Sequence, residues 1–180
     1  MTTHRSRPIR RTVVASTAVV LALGITLPVA AEPTTATLEV TGGSLSISAP
    51  TDAGSLGTAS NTVVGTTISG PLGEVQVDDA RSAEAGSGWV ASVISTAFTP
   101  TEGPAIAASA VGYTVGDIAK VGTATYTADD PADLSGASPA VTATGITGDN
   151  SATWTPTINV AVPGGTAAGV YAATITHSVL

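Results

Sequence analysis

Two stretches of this chain hold most of the groups that could bind or react. The first is Val75-Gln76-Val77-Asp78-Asp79-Ala80-Arg81, followed by Gly86-Ser87-Gly88-Trp89. A guanidinium such as that of Arg81 can grip a carboxylate with two parallel hydrogen bonds. The indole of Trp89 can stack on a sugar ring or fill a core. The second stretch runs from Val160-Ala161-Val162-Pro163-Gly164-Gly165 to Tyr171 and His177. Asp79, Arg81 and Trp89 are therefore the candidate binding residues.

Catalysis is harder to build from these residues. Any Ser-His-Asp arrangement beyond residue 31 would have to use His177, and Gly86-Ser87-Gly88 is too short for a nucleophile elbow. With no Cys and one such His, a zinc site would rest on carboxylates almost alone. A carboxylate pair could serve a glycosidase. A polysaccharide cleft usually carries several exposed aromatics, however, and the chain has 2 Trp, 3 Tyr and 1 Phe in all. Asp129-Asp130-Pro131-Ala132-Asp133 lacks the spacing of an EF-hand loop and reads as solvated turn residues. The expectation is a non-enzyme with no catalytic residue, no metal and no cofactor.

Each candidate also has a plain structural role. Arg81 can pair with Asp78 or Asp79 to fix a turn. Trp89 has apolar neighbours on both strand faces, which favours a core position over a sugar platform. Trp154 lies on the inward-patterned face of its strand, and His177 shares a face with Tyr171, Ile175 and Val179. A partly buried, hydrogen-bonded histidine is the expectation there.

The elements that must position these groups are strands. From Ala152 to Val162, Trp154, Pro156, Ile158, Val160 and Val162 alternate with Thr153, Thr155, Thr157 and Asn159. This period of two marks a half-buried strand, with Pro156 at an edge or bulge. Val170 to Leu180 alternates equally well. Further strands are expected at Ala36–Val40, Ser44–Ala49, Thr62–Ser69, Leu72–Asp78, Gly88–Thr96, Ala105–Val115, Val121–Ala128 and Ala140–Ala143. Turn clusters separate them, among them Gly70-Pro71, Asp129-Asp130-Pro131 and Gly148-Asp149-Asn150. Many short strands with regular turn signals predict an all-β, antiparallel β-sandwich of immunoglobulin-like type.

The first 31 residues read as a secretory signal peptide. Arg5, Arg7, Arg10 and Arg11 precede an apolar run from Thr12 to Leu27, and Val29-Ala30-Ala31 offers small residues to a signal peptidase. Cleavage after Ala31 would leave Glu32–Leu180 as a single domain with no membrane span, secreted or held at the cell wall. All 13 Asp and Glu lie in that part, opposed only by Arg81 and Lys120, for a net charge of −11. Such a chain will not grip a nucleic-acid backbone or an anionic membrane. No sorting motif with a hydrophobic tail follows the last strand, so retention at a wall is expected to be non-covalent.

Taken in order, the acidic-Arg stretch, the Gly-bounded Trp89, the Pro163-Gly164-Gly165 turn and the Tyr171 strand resemble the WxL-domain family of bacterial surface proteins. Gly43-Ser44-Leu45-Ser46-Ile47 is similar to that family's early strand. The resemblance spans Leu38 to Leu180 in a diverged, actinobacterial-type form. Where the family has its two Trp-x-Leu motifs, this chain has Trp89-Val90-Ala91 and His177-Ser178-Val179. The resemblance implies non-covalent attachment to cell-wall peptidoglycan. A second class of function is a structural or adhesive subunit that binds other surface proteins through its edge strands, with the last strand and the Pro-marked strand as candidate edges.

Overall fold

Apolar residues that alternate with hydroxyl-bearing ones can bury one face only as strands. The computed structural model describes residues 36–39, 41–60 and 65–180, and it is built of strands. In chain order they are β1 (Leu45–Ser48), β2 (Thr66–Pro71), β3 (Val75–Ser95), β4 (Thr99–Pro100), β5 (Val111–Thr114), β6 (Ile118–Ala128), β7 (Ser138–Trp154), β8 (Thr157–Val162), β9 (Tyr171–Ala172) and β10 (Ile175–Val179). A 3-10 turn, Ala108–Ala110, precedes β5. Among the described residues no helix is long and apolar enough to cross a membrane. The expected signal peptide lies outside the described residues.

All pairings are antiparallel, and the sheets pack face to face as a β-sandwich. One sheet is ordered β1-β3-β7-β6, with β10 also on β3. The other is β2-β8-β5, and β4 pairs with β9 as a small ribbon. β1 covers Gln76–Asp79 of β3, while β10 covers Ala91–Ser95 on the same side. The other side of β3 is lined by β7. Val75, Val77, Trp89, Ala91 and Val93 face Tyr113, Ile158 and Val160 across one continuous core.

Several expected boundaries are corrected. From Val75 to Asp78 and from Gly88 to Ser95, the expected strands Leu72–Asp78 and Gly88–Thr96 fall within one strand, β3, and the expected acidic-Arg turn between them does not form. Gly148-Asp149-Asn150 likewise lies inside β7. The two turn signals face each other: Asp79 is opposite Asn150, and Ala83 is opposite Gly148. Left-handed residues on both strands, Ser82 (φ 52°) and Gly148 (φ 69°) among them, are absorbed as bulges in one ribbon and not as reversals. Conversely, the expected strand Ala152–Val162 breaks at Pro156. The chain leaves the five-stranded sheet after Trp154 and enters the three-stranded one at Thr157. A residue without an N–H cannot continue the ladder, and its carbonyl instead accepts from Leu72 N at 2.9 Å. Of the expected strand Ala36–Val40, residues 36–39 are not strand.

Candidate functional site

The three candidate binding residues do converge. Asp79 and Trp89 both lie on the inward face of β3, and Arg81 follows on the same strand. Asp79 Oδ1 accepts from Arg81 Nε at 2.8 Å, and Oδ2 accepts from Arg81 Nη2 at 2.8 Å. The backbone N–H of Arg81 adds a third bond to Oδ1 at 3.1 Å. The fork is bidentate and charge-assisted, the stronger kind of ion pair. Arg81 Nη2 also reaches Gly88 O at 3.3 Å, which ties the two halves of the stretch together.

Asn150, opposite Asp79 on β7, organises the inner side. Its Oδ1 accepts from Trp89 Nε1 at 3.2 Å and from the Tyr126 hydroxyl at 3.0 Å. Tyr126 comes from β6, and its ring sits 5.7 Å from that of Trp89 in a tilted arrangement. The Asn150 Nδ2 group is buried and has no geometric hydrogen-bond partner. Gly88 lets the ribbon close here, since a Cβ on it would lie 2.6 Å from Ala143 O.

Burial divides the three candidates. Asp79 is 1% exposed and Trp89 2% exposed, so the indole has no free face to offer a sugar. The Arg81 side chain keeps 36% of its surface. The Arg81 guanidinium holds the Asp79 carboxyl below the usual carboxylate range, against the opposing push of burial. Asp79 in turn raises Arg81. Burial, and then the negative charge of Asp79, raises the Tyr126 phenol. The cluster thus consists of an internal ion pair with one cationic flank in solvent.

A second polar cluster lies between the sheets. Trp154 Nε1 donates to the Tyr113 hydroxyl at 2.9 Å, and that hydroxyl lies 3.0 Å from His177 Nε2. His177 Nδ1 is buried without a partner. If Nδ1 carries the proton, Tyr113 donates to Nε2 and one N–H is left unpaired. If Nε2 carries it, both the Tyr113 proton and the Nδ1 lone pair are left unpaired. The first tautomer therefore wastes less hydrogen bonding. An imidazolium here would be worse still, and burial pushes His177 down to about 4. Burial also raises Tyr113, against the smaller opposing effect of the Trp154 bond. Sequence reading expected a partly buried His177. It missed Tyr113 and Trp154 as its companions, because they come from two different sheets.

The acidic turn residues are committed locally. Asp130 Oδ1 accepts from Val115 N at 2.7 Å, Asp129 Oδ2 accepts from Thr142 Oγ1 at 3.0 Å, and Asp133 Oδ1 accepts from Ser135 N at 2.8 Å. A feature that no local pattern announced is an apolar groove of about 950 Å³ between the 50–60 segment and residues 166–175, floored by Leu72, Phe98, Ile106 and Val160. Compared with known family models, curated proteins and solved structures, the chain matches none.

Proposed function

We propose that this protein is an extracellular surface module, retained non-covalently at the bacterial cell wall through peptidoglycan, with no chemistry of its own. The resemblance to the WxL domain supplies the ligand class. The observation that carries the reading is the half-open guanidinium of Arg81. Its Nε and Nη2 are locked on Asp79, so the group is held in a fixed orientation while one flank stays wet. A pre-oriented cation of this kind suits a carboxylate of a wall peptide, because little side-chain freedom is left to lose on binding. Trp89 then acts from behind, as the packing against which the Asp79–Asn150 pair is set.

Co-sedimentation of the purified protein with insoluble peptidoglycan sacculi tests this. The parent should pellet. Arg81→Lys keeps the charge but removes the fork, and should pellet several-fold less while its circular dichroism is unchanged. A parent that stays in the supernatant at physiological salt overturns the reading.

The second reading is an adhesive or structural subunit that associates through an edge strand. It is favoured by β10, which pairs with β3 on one side and with no strand on the other among the described residues.

A further inference from the structure

We infer that β10 is the docking edge for β10 of a second copy of this chain, joining two five-stranded sheets across a two-fold axis. This rests on the edge-strand reading and names its partner.

The hydrogen-bond phase shows which groups are free. Val90 and Leu180 exchange both backbone bonds, at 2.9 and 3.1 Å, and Thr96 N donates to Thr174 O at 3.0 Å. Antiparallel alternation then directs the N–H and C=O of Thr176 and Ser178 toward β3. Those of Ile175, His177 and Val179 point the other way, where no described strand pairs with them.

Natural sheets blunt such an edge with charge, Pro, bulges or brevity. The other edges here are blunted. β6 carries Lys120 and two register shifts, β2 carries Pro71, and β1 and β5 have 4 residues each. β10 has none of the first three devices. Tyr171 to Leu180 contains no charged residue and no Pro, and the β10–β3 ladder runs without a register shift.

The strand is also self-complementary. Two copies centred on His177 place Ile175 opposite Val179 of the second copy, and Thr176 opposite its Ser178. Ile175 and Val179 then meet on the core side around a central pair of neutral His177 residues, and hydroxyls meet on the exposed side. This is the register that pairs all of Ile175–Val179, and no like charges are brought together. A second copy therefore fits this edge with no further requirement on sequence, and the two-fold closes the assembly.

The chain has no Cys, which permits a register-specific test. Thr176→Cys and Ser178→Cys are made separately and mixed. A non-hydrogen-bonded antiparallel pair brings Cα atoms to about 4.5 Å, within reach of a disulfide. Identical positions lie on the diagonal at about 7–8 Å, out of reach. Oxidation should link the mixed variants faster than either alone. Sedimentation of the parent should show a concentration-dependent dimer, and Thr176→Lys with Ser178→Lys should weaken it about tenfold. No dimer up to about 1 mM overturns the proposal, since an affinity weaker than that is below specific association. A dimer that ignores the lysines, or same-site linking as fast as mixed, overturns it equally. Amide exchange separates this failure from that of the parent reading. If Ile175, His177 and Val179 exchange fast in a chain that never dimerises, only the second copy is wrong. If they are as protected as Thr176 and Ser178 in dilute protein, the edge is not free and the edge-strand reading fails too.

Discussion

The Asp79 cluster and the His177 cluster solve the same problem in opposite ways. Each buries a Trp indole N–H and a Tyr hydroxyl, but the buried Asn150 amide of the first still interacts with the Asp79 carboxylate, whereas His177 Nδ1 of the second has no partner. The first is ionic, lies within one sheet and vents its charge to solvent through Arg81. The second is neutral and spans the two sheets, and no nearby charge offsets its burial. A buried polar group tolerates charge only where that charge is paired, so the two clusters should answer to acid in different windows.

The largest expected effect tests that contrast. His177 has a folded value of about 4 against an ordinary 6.5. Tyr113 is the titratable group in contact with it, and no charged side chain shifts it. Between those values the unfolded chain takes up a proton that the folded chain refuses. Stability therefore falls as the pH drops from 6.5 toward 4, by about 3 kcal/mol in total. Urea denaturation at pH 7 and pH 4.5 should show most of this loss, and His177→Gln should flatten it. Asp79 behaves the other way. Its carboxylate is stabilised above the usual carboxylate value of 3.8, and that contribution is lost only as the pH falls through its lower folded value. An acid transition that survives His177→Gln between pH 6.5 and 4 would break the comparison.

Next in size is Asp79→Ala, which strands Arg81 and Asn150 together. The half-exposed guanidinium can turn to water, so the cost should be about 2 kcal/mol and not the full penalty of a sealed pair. Trp154→Phe removes the donor that the Tyr113 hydroxyl accepts from among the described residues in the neutral arrangement, and with the core space it leaves should cost about 2–3 kcal/mol by thermal melts. Trp89→Phe leaves a comparable core cavity but should cost less, by about 1 kcal/mol, because Asn150 Oδ1 keeps its bond from Tyr126. Equal losses for the two Trp variants would show that the clusters are not organised differently.

The fold was largely legible because period-two alternation is local. Ser44–Ala49, Val121–Ala128 and Val170–Leu180 all contain strands where the pattern places them. What failed was the punctuation. A Gly-Asp-Asn or Asp-Asp-Ala-Arg cluster reads as a reversal, yet when two such clusters fall opposite each other the ladder can absorb them as bulges. Pro156, read as an edge position or a bulge, is the crossing between sheets, and β7 and β8 on its two sides both have strands on both flanks, because whether a Pro bends or ends a strand depends on where the next residues find partners. Asp79, Arg81 and Trp89 were grouped from their nearness in sequence, but as a turn between two strands, whereas the structure sets them along one continuous strand. The contributions of Asn150 and Tyr126 were not legible, since they depend on registers across β7 and β6 that no short motif encodes.

The double cover of β3 has a kinetic consequence. One flank of this strand is shared between β1 and β10, the first and last strands of the described fold. A loop of about 80 residues, between Ser95 and Ile175, must therefore close before β3 gains both neighbours. Contacts so distant in sequence place folding toward the millisecond-to-second end of the range. A chain growing from its N-terminus cannot complete β3 until Ile175–Val179 is available, so the native sheet is withheld until the last strand arrives.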